Sequence, residues 1–203
     1  MTIHKFIALT TFTASLVLAQ ERLAAIPPDK QTDEQKATVK QMVGQFPING
    51  PFAAFLRDPQ VALSTYQLAQ HFRESKLLGV KLTEFGILLV ARDWSQGFEW
   101  EAHYKRALDA GVKAETLKAI GEGRIPDTMS EDEDIVYNFC AELSRTKGVS
   151  DHTYARAVEK FGENGVVSLA GLHGYYAMLA LLLNVAHTPV PKPANPIMPA
   201  LPR

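Results

Sequence analysis

The sequence predicts an all-α protein, on three observations. Apolar residues recur at helical spacing almost throughout residues 32–188. No stretch shows sustained alternation of apolar and polar residues bounded by hairpin turns, so no sheet is expected. Capping residues and glycines also divide the chain into helix-sized pieces with short connections, the arrangement of antiparallel helix pairs in a bundle. A length of 203 residues suits one domain with a sizeable core.

Taken in order, residues 1–19 read as a signal peptide. His4 and Lys5 precede the apolar run "FIALTTFTASLVLA", and Val17 and Ala19 put small residues where a peptidase would cut, after Ala19. The run is short for a membrane span, so the mature protein is expected to be periplasmic or secreted and free of the membrane. A buried N-terminal helix is the other reading. Residues 20–48 form an arm, "AAIPPDKQTDEQ", and a short polar helix near 32–44. The body of the domain spans 49–188, with helices at 59–75, 82–95 and 97–110, the last stopping at Gly111. "SEDE" is a capping box in which Ser130 and Glu133 exchange bonds with each other's backbone, and the helix it opens is expected to run to Gly148. Ser150 or Asp151 caps the next helix, which ends at Gly162. "NGVVSLAGLHGYYAMLALLLNVA" reads as a buried helix bent near Gly171 and Gly174. Residues 189–203 belong to a Pro-rich tail that cannot be helix or central strand.

Composition narrows the function. Lys and Arg number 21 against 22 Asp and Glu, with no basic run, which argues against nucleic acid as a partner. Cys140 is the only cysteine, so there is no intramolecular disulfide, no CxxC pair and no thiolate cluster. No Asn-x-Ser/Thr sequence occurs.

The chemistry concentrates in "GFEWEAHYKRA". At about 100° per residue, Glu99, His103 and Arg106 share one side, flanked by alanines that suit close packing. Glu101, Lys105 and Asp109 share another, where Glu101 and Lys105 form a solvated i,i+4 pair. Trp100, Tyr104 and Leu108 form a third. In the preceding apolar helix, Glu84 shares a face with Ile87, Leu88 and Ala91, so a carboxylate there must be paired or raised in pKa. Helical geometry alone leaves two readings of Glu84, Glu99 and His103: a buried network that fixes register, or a site. The short "SQG" connection puts Glu84 and His103 towards one end of an antiparallel pair and Glu99 nearer the turn, so only a stagger would join all three.

From "LLVARDWSQGFEWEAHYKRALDAGVKAE" through "GRIPDTMSEDEDIVYNFCAEL", "VSDHTYARAVEKFGENGVVSLAGLHGYY" and "LNVAHTPVP", the chain resembles the carboxymuconolactone decarboxylase family, the superfamily that includes AhpD-type alkylhydroperoxidases. The resemblance covers most of residues 50–190. It implies an AhpD-like all-helical bundle with an oligomeric core, a homo-oligomer of three or six chains. The peroxidase branch carries a CxxC pair between its glutamate and histidine. Here those positions hold Gln96 and Glu99, which cannot form a sulfenate or disulfide, so peroxidase chemistry is disfavoured. The decarboxylase branch, with Glu-x-x-x-His, is matched by Glu99 and His103. It implies a lyase or isomerase that needs no cofactor, with Glu99 and His103 as acid and base and Glu84 tuning the histidine. Arg92 or Arg106 would hold a substrate carboxylate. Trp94, Trp100, Tyr175 and Tyr176 are candidates for an aromatic wall, and His173 for a further pocket group. Two alternatives stay open: a divalent metal held by Glu84, Glu99 and His103, and a non-catalytic oligomeric binding protein.

Overall fold

A computed structural model describes residues 21–42, 48–74 and 76–190. The segment read from the sequence as a signal peptide and most of the Pro-rich tail lie outside these residues. Among the described residues all regular structure is helical: a short 3₁₀ turn at Pro28–Lys30, then α1 (Asp33–Met42), α2 (Gly50–Phe55), α3 (Pro59–Glu74), α4 (Gly79–Asp93), α5 (Gly97–Asp109), α6 (Ala114–Gly121), α7 (Glu131–Thr146) and α8 (Asp151–Ala186).

The hub is α4, which packs on α5, α7 and α8 and also touches α3 and α6. Its apolar circumference explains this place: Phe85, Ile87 and Leu88 are fully buried, each contributing about 1.5–3 kcal/mol of apolar transfer. From the other elements Leu117, Val136, Leu169, Leu172 and Leu183 complete the core. By length and composition α8 would suffice to cross a membrane, and its apolar side is used in this packing.

The helix ends follow local chemistry. Ser130 Oγ accepts from the Glu133 amide and Glu133 Oε2 accepts from the Ser130 amide, so the capping box is formed. Ser150 caps α8 by accepting from Thr153. The left-handed residue that closes α7 is Lys147, at φ 64°, rather than Gly148. Within α8 the only residue off helical backbone is Gly162, at φ 68° and ψ 173°, a conformation glycine adopts without a Cβ penalty. The backbone stays helical through Gly171 and Gly174, so the helix is not interrupted there; Gly171 admits a neighbour, since a Cβ there would stand 3.2 Å from the Phe72 ring. Two helices have no counterpart in the sequence reading, α2 and α6, both too short to persist without packing.

The N-terminal arm is fastened to the end of the domain. Arg22 N–H donates to the Ala186 carbonyl at 2.7 Å, and Arg57 donates to the carbonyls of Leu23 and Ala24 at 3.3 and 2.8 Å. The tail begins as coil at 188–190.

Candidate functional site

The site is set by the turn between α4 and α5. Gln96 caps α5, its side-chain oxygen accepting from the Phe98 amide at 2.8 Å while its amide group donates to Asn184 Oδ1 at 2.9 Å. Asn184 in turn donates to the Trp94 carbonyl at 3.2 Å. The start of α5 is thus pinned to α8, and with it the azimuth of Glu99 and His103. Gln96 is thus a structural cap.

The stagger needed to join the three candidate residues is present. His103 Nδ1 lies 2.6 Å from Glu84 Oε2, and its Nε2 lies 3.5 Å from Glu99 Oε2. All three side chains are at least nine-tenths buried. With Glu84 accepting at Nδ1, the imidazole presents Nε2 towards Glu99. The edge of the ring meets Tyr176 at a centroid distance of 5.4 Å and an interplanar angle of 88°.

Beside this row lies a cavity of about 240 Å³ between α2, α3, α5 and α8. Glu99, His103 and Arg106 line it from α5, Tyr175 and Tyr176 from α8, and Arg73 from α3. Glu84 is not among the lining residues; it stands behind His103 and positions it. Burial pushes the Glu99 carboxyl above its ordinary value, against the opposing influence of His103, Arg73 and Arg106. The Tyr176 phenol is likewise held well above its usual range, by burial first and by Glu99 second. Tyr175 donates its hydroxyl to the Thr65 carbonyl at 2.9 Å, which fixes its ring as a wall.

Several expected members lie elsewhere. Trp100 is core, packed on Tyr104 at 5.6 Å between centroids. Trp94 closes α4 and packs against the core rather than the cavity. Arg92 is buried but lines a different cleft, beside Tyr137 and Cys140. His173 is absent from the lining; burial lowers its pKa, and its charged neighbours are Asp93 and Lys147. The helical wheel gave the face of each residue but not which neighbour covers it. On the surface of α5, Lys105 bonds Asp109 at 2.6 Å, and Glu101 is half-buried rather than solvated. Arg106 is exposed, at the cavity rather than packed under a helix.

Arg73 is the member that sequence reasoning missed. The signal was available: Ala62, Tyr66, Ala69 and Phe72 mark the buried stripe of α3, and Arg73 follows Ala69 by one helical turn, a cation at the edge of an apolar stripe.

The trio does not converge as metal ligands. Glu84 and Glu99 address opposite nitrogens of one imidazole, so no single ion meets all three. Among the described residues no group of three His, Cys, Asp or Glu is placed to hold a metal ion. Comparison with protein-family models, curated proteins and solved structures finds no match.

Proposed function

We propose that this chain is a cofactor-independent lyase or isomerase of the carboxymuconolactone decarboxylase-like type, acting by proton transfer on a small carboxylated or lactone substrate. The observation that carries the reading is His103, held between two buried carboxyl groups, with Glu99 beside it on the wall of a half-open cavity. Burial favours the protonated form of Glu99, which makes it the proton donor. Glu84 fixes the imidazole and stabilises the imidazolium that forms when Nε2 takes a proton. Arg73 and Arg106 supply the cationic donors for a substrate carboxylate, the role first expected of Arg92 or Arg106.

In the decarboxylation the substrate's C–C bond breaks, carbon dioxide leaves, and the electron pair enters the unsaturated lactone as an enolate. Glu99 then protonates carbon and is reprotonated from solvent. In an isomerisation the same groups remove a proton at one carbon and return one at another. A cavity of about 240 Å³ lies just under the usual range of ligand pockets, so it suits a small ligand. Export and assembly into a homo-oligomer remain part of the proposal.

The test is incubation in deuterated buffer with a panel of carboxylated enol- and muconolactones, followed by proton NMR. Loss of the carboxyl carbon, or deuterium uptake that disappears in Glu99→Gln and His103→Ala, supports the reading. A folded wild-type protein that turns over no member of the panel would overturn it in favour of a binding protein.

A further inference from the structure

A second cavity, of about 290 Å³, opens between the C-terminal turns of α4 and α7 and the end of α6, and it shares no lining residue with the site at His103. Its charges are lopsided. Arg92, Arg124 and Arg145 line it, and Asp93 is the one carboxylate among the lining residues. Arg92 is buried, whereas Arg124 and Arg145 are exposed. Arg124 donates to Glu122 Oε2 from Nε, at 2.8 Å, and from Nη2; Glu122 stands outside the lining, steadies that guanidinium and offsets much of its charge. Three guanidiniums against the carboxylates of Asp93 and Glu122 leave the cleft with an excess of positive charge, which favours an anion there.

The remaining lining is neutral and mixed. Tyr137 and Ser144 carry hydroxyls, and Leu89 and Ile120 supply apolar surface. Burial raises the Tyr137 phenol above its ordinary value, so it is a neutral donor, with Arg145 its charged neighbour. The Cys140 thiol is pushed up to about 12, which leaves it protonated and unreactive as a nucleophile. The cleft thus pairs cations and hydroxyl donors with an apolar patch.

We propose that this cleft is a second ligand site, taking a small organic dianion whose two acidic groups stand side by side on an apolar or aromatic body. The guanidiniums of Arg124 and Arg145 hold the acidic groups, and the apolar body lies against Leu89 and Ile120.

The test is titration calorimetry of the protein with phthalate, and in parallel with benzoate and inorganic phosphate, at low ionic strength. Phthalate is expected to bind one per chain and more tightly than either comparison anion. Arg124→Gln and Arg145→Gln should each weaken it at least tenfold, with thermal midpoints unchanged because both side chains are exposed. Arg106→Gln should leave the affinity as it is. Absence of binding would overturn the proposal. So would an affinity insensitive to Arg124 and Arg145, loss of binding in Arg106→Gln, or phosphate binding as tightly as phthalate.

Discussion

Glu84 and His103, 19 positions apart on two helices, meet at 2.6 Å in the interior, and this single contact turns an antiparallel helix pair into an oriented imidazole. Without it the ring would have no fixed edge towards Glu99. Glu84→Gln keeps a hydrogen-bonding side chain but removes the charge that stabilises an imidazolium. Turnover on the substrate found in the NMR panel should fall on the order of 10²-fold while KM changes little. Glu84→Ala, which leaves the ring without its buried partner, should also cost about 3 kcal/mol in urea unfolding.

Glu99 makes stability depend on pH in a defined direction. Its carboxyl is raised in the folded protein, so the folded chain holds that proton more tightly than the unfolded one. The corresponding stability is fully present below the ordinary carboxylate range and is lost as pH rises through the folded value. Urea unfolding of the wild type between pH 4 and about 8 should show that decline. Glu99→Gln should flatten it and leave the variant more stable than wild type at the alkaline end. A wild-type curve that rises over this range with no difference from Glu99→Gln would refute the assignment.

Arg106 and Arg73 differ in exposure, and their variants should differ accordingly. Arg106 is exposed, so Arg106→Gln should raise KM for a carboxylated substrate about tenfold with stability unchanged. Arg73 is half-buried and lowers the Glu99 pKa, so Arg73→Gln should raise KM and also move the alkaline limb of the pH–rate profile to higher pH. Steady-state kinetics across pH separates the two outcomes.

Gly50 opens α2 at φ 51°, and a Cβ there would stand 2.4 Å from the end of the Phe98 ring. Phe98 and Asn49 both line the cavity beside His103. Gly50→Ala should therefore cost about 1–3 kcal/mol from backbone strain and overpacking. It should weaken substrate binding as well, because Phe98 must shift. Thermal unfolding and KM are the two readouts.

How far the sequence carried the description depended on the range of the interaction. The Ser130–Glu133 box and the Glu99–His103 pair lie within one or two turns of helix, where spacing alone places the side chains. The Glu84–His103 bond needed the stagger of two helices, which the pattern permitted but did not require. Arg92 and His173 were assigned to the site because they are polar groups on buried helices; the packing of α4 and α8 sends them elsewhere. Arg73 sits among His71 and Glu74 at the end of α3, with nothing in the sequence to link it to Glu99, and only the approach of α3 to α5 and α8 makes it part of the cluster. Gly162 leaves helical backbone, as a helix stop should, whereas Gly171 stays helical and admits Phe72, a role that depends on what lies opposite and that spacing does not show.

The hydrogen bond from Arg22 to Ala186 brings the first described residues of the chain beside the last turn of α8. The backbone therefore runs in what is nearly a closed loop. A circular permutant that joins residue 21 to residue 190 through a short linker, and is reopened in the coil between α6 and α7, would keep every helix and every contact at His103. In such a rearranged chain α7 would be made first and α6 last, with α4, α5 and the residues around Glu99 just before it, so the order of synthesis could be separated from the architecture it produces.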